Sequence, residues 1–248
     1  MQLKTRLQQS DPLRNVFMTL PVPALAERMG VMGVESITLD MQHGSIEDAH
    51  LIGMLQAIRA GGALPLARLA WNRPELIMKA LDYGVEGIIC PMVDSAEEAA
   101  AFVRAAKYPP VGNRSFGPFR ADLHHHGDYF ADANDGTLCF VMVETAGAVA
   151  ELNAIAATPG LDGLFIGPWD LSVSLGLKER ANFADPQLSS VLDKVVNAGK
   201  QFGLFTGVFT IRPSDMEGLV GRGFDLITCG TDDVIFRHGM ETWLPSLR

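Results

Sequence analysis

The sequence predicts an α/β fold, a (β/α)8 barrel, and three observations point there. Eight short apolar runs alternate with longer segments of helical periodicity along the 248 residues. Most of these runs are nearly continuous in apolar residues rather than alternating, as expected of strands buried on both faces of a parallel sheet. No break in composition divides the chain, so residues 1–248 read as a single barrel domain, a length that α/β barrels often reach. A doubly wound open sheet is the competing arrangement. It would place a G-x-G-x-x-G turn after an early strand, and none of the early turns carries one.

The strand candidates are, in order, residues 16–20, 36–40, 64–69, 87–92, 138–144, 163–166, 203–208 and 225–228. The helical candidates between them are 46–60, 73–83, 96–106, 148–157, 186–202 and 213–221. In the first helix Leu51, Met54, Leu55 and Ile58 keep the i, i+3, i+4, i+7 spacing of one buried face. Ahead of residues 96–106, Ser95 followed by Glu98 has the [ST]-x-x-[DE] form of a capping box. One connection, residues 108 to 128, is unusually long and contains PPVGNRSFGPFR. Long ordered loops in compact domains often carry function.

Composition excludes several classes of function. Apolar residues make up 48% and charged residues 20%, which excludes disorder and leaves ample material for a core. Lys and Arg number 20 against 29 Asp and Glu, a net charge of -9 that argues against nucleic acid or an anionic membrane as partner. No uncharged run reaches the roughly 18 residues of a membrane span. The N-terminal MQLKTRLQQSDPLR lacks the apolar core of a signal peptide. Cys90, Cys139 and Cys229 are far apart and odd in number, fit neither a disulfide framework nor a zinc ribbon, and read as buried small apolar residues. A soluble, cytoplasmic protein in a reducing compartment is expected.

In a barrel the active site lies at the C-terminal ends of the strands, so the polar residues that end the apolar runs are the candidates. Asp40 ends the second run, with Gln42 and His43 just after it; Arg68 ends the third, followed by Trp71 and Asn72. Glu144 ends the fifth, and the sixth runs into GPWDL, carrying Asp170. Glu144 and Asp170 come from consecutive strands. Two carboxylates converging there repel unless one is protonated or a cation lies between them, and few hard oxygen ligands suit Mg²⁺ or Mn²⁺. Either carboxylate alone could instead cap the next helix. His43 could serve as a general base, oriented by Asp40 or Asp82, or could be a loop histidine bonded to backbone. Arg68 could stabilise negative charge on a substrate oxygen or form an ion pair with a barrel carboxylate.

Other features argue against alternatives. His124, His125 and His126 are consecutive and cannot easily converge on one ion. Phe202, Phe205 and Phe209 read as core, with Phe209 able to line a pocket mouth. The six lysines, Lys4, Lys79, Lys107, Lys178, Lys194 and Lys200, all read as helix or loop surface, which disfavours imine chemistry. No G-x-S-x-G elbow is present.

Taken together, LDMQHG (39–44), PLARLAWN (65–72), PMV (91–93), GNRSFGP (112–118), VET (143–145) and GLFIGPWDLS (163–172) resemble the HpcH/HpaI aldolase family of class II, metal-dependent pyruvate aldolases, typified by 4-hydroxy-2-oxoheptanedioate aldolase. The resemblance covers nearly the whole chain. It implies a modified (β/α)8 TIM barrel of the phosphoenolpyruvate/pyruvate superfamily. It also implies a homo-oligomer, a hexamer built as a dimer of trimers, with a final helix of about residues 231–243 exchanged between subunits. By motif position it assigns Glu144 and Asp170 as ligands of a divalent ion (Mg, Mn or Co), His43 as the catalytic histidine and Arg68 at the ketone oxygen. Asp40 and Asp82 match acidic residues that support the histidine, Asp82 across a subunit interface. Gly167, Pro168 and Trp169 fall in the substrate-binding segment, and Arg120 is a contact for a distal anionic group. Three positions depart from the family: Gln42 where many relatives have Glu, Met142 where many have Gln, and Trp169 where a small residue is common.

The expected reaction is the reversible addition of a pyruvate or related 2-oxo acid enolate, such as that of hydroxypyruvate, to an aldehyde. The alternatives are a CoA-thioester lyase of malyl or citramalyl type, for which no clustered basic stretch is present, and a barrel that binds without turnover.

Overall fold

The computed structural model describes residues 2–123, 125 and 127–247. Its elements, in order, are α1 (Leu3–Leu7), β1 (Leu13–Met18), α2 (Pro23–Val31), β2 (Ser36–Asp40), α3 (Asp48–Ala60), β3 (Leu64–Arg68), α4 (Pro74–Asp82), β4 (Gly87–Cys90), α5 (Ala96–Ala106) and α6 (Tyr129–Gly136). There follow β5 (Leu138–Val143), α7 (Ala146–Ala150), α8 (Leu152–Ala156), β6 (Gly163–Ile166), α9 (Pro168–Ser174), α10 (Pro186–Phe202), β7 (Phe205–Thr210), α11 (Met216–Arg222), β8 (Leu226–Thr231) and α12 (Asp232–Trp243). The eight strands close into a barrel in sequence order, each parallel to the next, with β8 paired back to β1. The expected barrel is therefore the one observed.

The continuous apolar runs are explained by burial on both faces. All residues of β2, β4, β5 and β6 are buried. One set packs outward beneath the helices, including Val16, Ile37, Ile88, Val141 and Leu164. The other fills the barrel interior, with Leu13, Leu66, Ile89, Phe140 and Phe165. Leu3 and Leu7 of α1 join this inner cluster, so the N-terminal helix plugs the N-terminal end of the barrel. Higher in the barrel, Asn15 donates to the Ser36 hydroxyl (2.9 Å), and its side-chain oxygen accepts from Thr38 (3.0 Å) and Thr228 (2.9 Å). This buried polar layer is fully bonded, as its position demands.

Several expected boundaries shift for identifiable reasons. The first strand spans Leu13–Met18 rather than 16–20, because the N–H groups of Thr19 and Leu20 turn to the Asp232 carboxylate (2.8 and 3.0 Å) and leave the ladder. The seventh begins at Phe205, since Gly203 lies at φ 69° as the left-handed cap of α10. The eighth extends to Thr231, and the third, fourth and fifth stop at Arg68, Cys90 and Val143. The helix expected over 148–157 is two short helices that meet at Glu151. The Ser95 cap is present, its hydroxyl accepting the Glu98 N–H (3.2 Å). The reciprocal arm is displaced, with the Glu98 carboxylate accepting from Asp94 N–H (2.7 Å).

Lys107 corrects the reading of all lysines as surface. It is buried, donating to the Asn134 carbonyl (2.7 Å), the Thr137 carbonyl and the Asp162 carboxylate (3.0 Å). These partners lie in α6 and just ahead of β5 and β6, at the end of the barrel opposite the expected site. Cys90 and Cys139 are buried as expected and Cys229 is half-buried. In α12 only Asp232 is buried, while Ile235, Phe236 and Trp243 are exposed. No described helix is long and apolar enough to cross a membrane.

Candidate active site

The site is assembled by strand register. Asp40 and Arg68 close β2 and β3 as register partners. Their side chains meet in a bidentate pair, Arg68 Nε donating to Asp40 Oδ1 (2.9 Å) and Nη2 to Oδ2 (2.7 Å). Asp40 is only 1% exposed, so the pair is largely desolvated and its geometry well determined. Asp40 Oδ1 also accepts the backbone N–H groups of Gln42 (3.1 Å) and His43 (3.2 Å), which fixes the turn that presents His43. Gly44 completes this turn. A Cβ there would lie 2.4 Å from the Asp40 carbonyl oxygen, so no side chain fits. The Arg68 guanidinium sits 5.2 Å from the centre of the Phe17 ring.

Val143 and Ile166 are register partners at the ends of β5 and β6, which brings the next residues, Glu144 and Gly167, side by side. Glu144 is 1% exposed. Its Oε1 accepts the backbone N–H of Met92 (2.7 Å), while its buried Oε2 has no partner. Burial pushes the Glu144 carboxyl up to about 7; the Met92 N–H opposes the rise and the negative charge of Asp170 adds to it. Asp170 lies in the first turn of α9, exposed, with Gly167 as the residue that precedes the helix. A Cβ on Gly167 would stand 2.6 Å from Glu144 Oε2 and 2.7 Å from Met142 Cε.

A cavity of about 160 Å³ opens at these strand ends. Its polar lining is Asp40, His43, Arg68, Asp170 and Thr231. Its apolar lining is Phe17, Met142, Phe165, Gly167, Pro168, Trp169 and Phe209. The aromatic rings interlock: Trp169 meets Phe209 edge-on at 5.6 Å, and Phe209 meets Phe17 at 5.2 Å.

The expected residues thus divide into two groups. Asp40, His43, Arg68, Gly167, Pro168, Trp169 and Asp170 line one cavity, and Glu144 lies against its wall at Gly167 and Met142. Asp82 and Arg120 do not line it. Asp82 ends α4 and accepts from Arg114 Nη2 (2.7 Å), while Arg120 donates to the Tyr83 carbonyl (3.2 Å). Neither acid expected to orient the His43 ring bonds it within the single chain: the side chain of Asp40 is committed to Arg68 and to backbone, that of Asp82 to Arg114. Arg68 forms an ion pair with a barrel carboxylate, Asp40, while still lining the cavity. Glu144 does not cap α7, a task done by Thr145, and Asp170 lies in the first turn of α9. Of the three histidines 124–126, His125 bonds Asp132 (3.0 Å), and His124 and His126 lie outside the described residues.

Sequence reasoning missed Phe17, Phe165, Thr231 and Met92. Inward alternation from Leu13 would have found Phe17, four residues on. Nothing in the sequence signals the backbone of Met92.

The residues fit a divalent ion. The buried, unpartnered Glu144 Oε2, the charge of Asp170 that it feels and an all-oxygen donor set are what a hard divalent ion such as Mg²⁺ or Mn²⁺ uses, with waters and substrate as remaining ligands. Among the described residues no group of three or more His, Cys, Asp or Glu is gathered for a metal.

Comparison with known proteins agrees with this architecture. Residues 14–239 match the family model described as HpcH/HpaI aldolase/citrate lyase. The chain is 35% identical over 247 residues to a 2-dehydro-3,6-dideoxy-6-sulfogluconate aldolase of Pseudomonas putida, spanning 97% of this chain and 94% of that one. It is 33% identical over 231 residues to a hydroxypyruvate/pyruvate aldolase of Rhizorhabdus wittichii, spanning 93% and 92%. A crystal structure of a family protein from Burkholderia cenocepacia J2315 superposes with a TM-score of 0.90 at 30% identity, covering 99% of this chain and 98% of that one. The chain belongs to the HpcH/HpaI aldolase/citrate lyase family and is a carbon–carbon lyase of the aldolase kind.

Proposed function

We propose that the cavity at the strand ends is the active site of a pyruvate aldolase. It adds the enolate of pyruvate, or of a related 2-oxo acid such as hydroxypyruvate, to an aldehyde, and in reverse cleaves a 4-hydroxy-2-oxo acid. The observation that carries this reading is the unpartnered Glu144 Oε2 packed against Gly167 in the wall of one cavity, which Asp170 and a guanidinium preorganised by Asp40 also line. The names of the Pseudomonas and Rhizorhabdus relatives support the aldol chemistry.

Glu144 and Asp170 would hold the divalent ion, Mg, Mn or Co. When bound, it supplies Lewis acidity that makes the C3 protons of a 2-oxo acid easier to remove. His43 takes one C3 proton. Arg68, held in plane by Asp40, donates to the ketone oxygen as it becomes negative. C3 then forms its bond to the aldehyde carbon as the aldehyde C=O π bond breaks, and the aldehyde oxygen takes the proton that His43 removed, becoming the 4-hydroxyl and returning His43 to its starting state. The apolar wall of Phe17, Phe165, Trp169 and Phe209 keeps water from the carbanion.

In this reading Asp82 supports His43 from a neighbouring copy of the chain, and Arg120 contacts a distal anionic group of the substrate. The exposed Ile235, Phe236 and Trp243 of α12 support assembly, as a hexamer with this helix exchanged between subunits. Light scattering of the intact protein and of a chain ending before residue 232 tests the assembly; a monomeric intact protein would refute it.

Turnover itself is tested by chelation. EDTA is expected to abolish cleavage of 4-hydroxy-2-oxo acids, and Mn²⁺, Co²⁺ or Mg²⁺ to restore it. Activity that survives both exhaustive chelation and Glu144→Ala, or pyruvate trapped on a lysine by borohydride, would overturn the proposal.

A further inference from the structure

Met92 adopts φ 53°, one of two left-handed non-glycine residues among those described, the other being Ala181. Such a backbone is costly for a residue with a Cβ and persists only where the surroundings impose it. Here it follows the end of β4. Cys90 is the register partner of Val141 on β5, so an uninterrupted strand would carry residue 92 onward along the ladder beside Val143. The left-handed turn at Met92 instead delivers its N–H to the Glu144 side chain, 2.7 Å from Oε1.

This bond divides the carboxylate. With Oε1 occupied, Oε2 is left buried and unpartnered against Gly167, whose missing side chain permits that close approach, since a Cβ there would fall 2.6 Å from the oxygen. We propose that Met92 is a positioning residue, its strained backbone N–H anchoring one oxygen of Glu144 so that the other is presented to a divalent cation. The inference rests on the reading that Glu144 and Asp170 hold that cation, and it adds the device that orients the first of them. Partners that orient metal ligands are commonly worth about 10–100-fold in metal affinity.

The test measures Mn²⁺ binding to the metal-free protein by titration calorimetry, with no turnover required. Replacing Met92 by its α-hydroxy acid analogue converts the amide to an ester and removes only the N–H. Mn²⁺ affinity is expected to fall about tenfold or more, with the melting temperature in EDTA little changed. Met92→Gly keeps the N–H and accommodates the positive φ, so it is expected to bind within about twofold of wild type. Should the ester fail to fold, Met92→Ile serves, because a β-branched residue resists positive φ and draws the N–H away; a folded Met92→Ile is expected to lose affinity as well. If the ester, or Met92→Ile in its place, binds Mn²⁺ as wild type while Glu144→Gln abolishes binding, Met92 is not a positioning residue and the metal reading survives. If Glu144→Gln also binds as wild type, the metal reading fails and takes this inference with it.

Discussion

Glu144→Gln is expected to stabilise the metal-free protein, and to do so more at pH 8 than at pH 5. Burial raises the Glu144 carboxyl from an ordinary 4.5 to about 7, against the pull of the Met92 N–H and with added repulsion from Asp170. Folding therefore disfavours its charged form. Below pH 4.5 the group is protonated in both folded and unfolded chains and costs nothing; as pH rises through about 7, stability is lost. At 1.36 kcal/mol per pH unit, the difference between the two values sets an upper limit of about 3 kcal/mol at pH 8. For a chain of this size that corresponds to roughly 5–10 °C in melting temperature. Glutamine keeps the shape and the acceptor for Met92 but carries no charge at any pH. Thermal melts of wild type and variant in EDTA at the two pH values check this. A stability gap that is equal at both, or a variant less stable at pH 8, would refute the reasoning. Saturating Mn²⁺ is expected to close the gap by stabilising the wild type alone.

Gly167→Ala is expected to lower Mn²⁺ affinity and turnover about 100-fold with an unchanged circular dichroism spectrum, because the new methyl must displace Glu144 Oε2. Arg68→Lys keeps a charge beside Asp40 but loses the two-pronged grip of 2.9 and 2.7 Å; kcat is expected to fall about 10²–10³-fold in steady-state assays while the fold persists. Lys107→Met leaves the Asp162 carboxylate without its cation at the far end of the barrel. Urea unfolding is expected to show a loss of about 3–5 kcal/mol, with KM unchanged.

The strands were legible because parallel strands under a coat of helices are apolar on both faces, and such runs stand out in any sequence. Their ends were less legible, since they depend on distant partners: β1 stops where Asp232 claims the next two N–H groups. Asp40, Arg68, Glu144 and Asp170 were visible for the opposite reason, as polar residues at or just beyond the ends of apolar runs. Arg120 rests on motif position alone and Asp82 on that and on being an acid that could reach His43; within one chain they bond to Tyr83 and Arg114 and do not line the cavity. Lys107 looked like surface because a lysine is rarely buried. Only the junction of α6, β5 and β6 supplies the two carbonyls and the carboxylate that satisfy it.

Polarity and periodicity are properties of neighbours in the chain, so the sequence alone was enough to specify the barrel and the four charged groups, Asp40, Arg68, Glu144 and Asp170, that mark the candidate site at its strand ends. What each of those groups does is a matter of packing between strands. Tertiary structure decided that Asp40 grips Arg68 rather than the His43 ring, and that Trp169, Phe209 and Phe17 form one wall. It also decided that a left-handed Met92 on β4's exit meets Glu144 at the end of β5, with Gly167 admitting the second carboxylate oxygen where a side chain would clash. A backbone angle and an empty position beside a buried oxygen leave no local trace, because both are set by residues far apart along the chain.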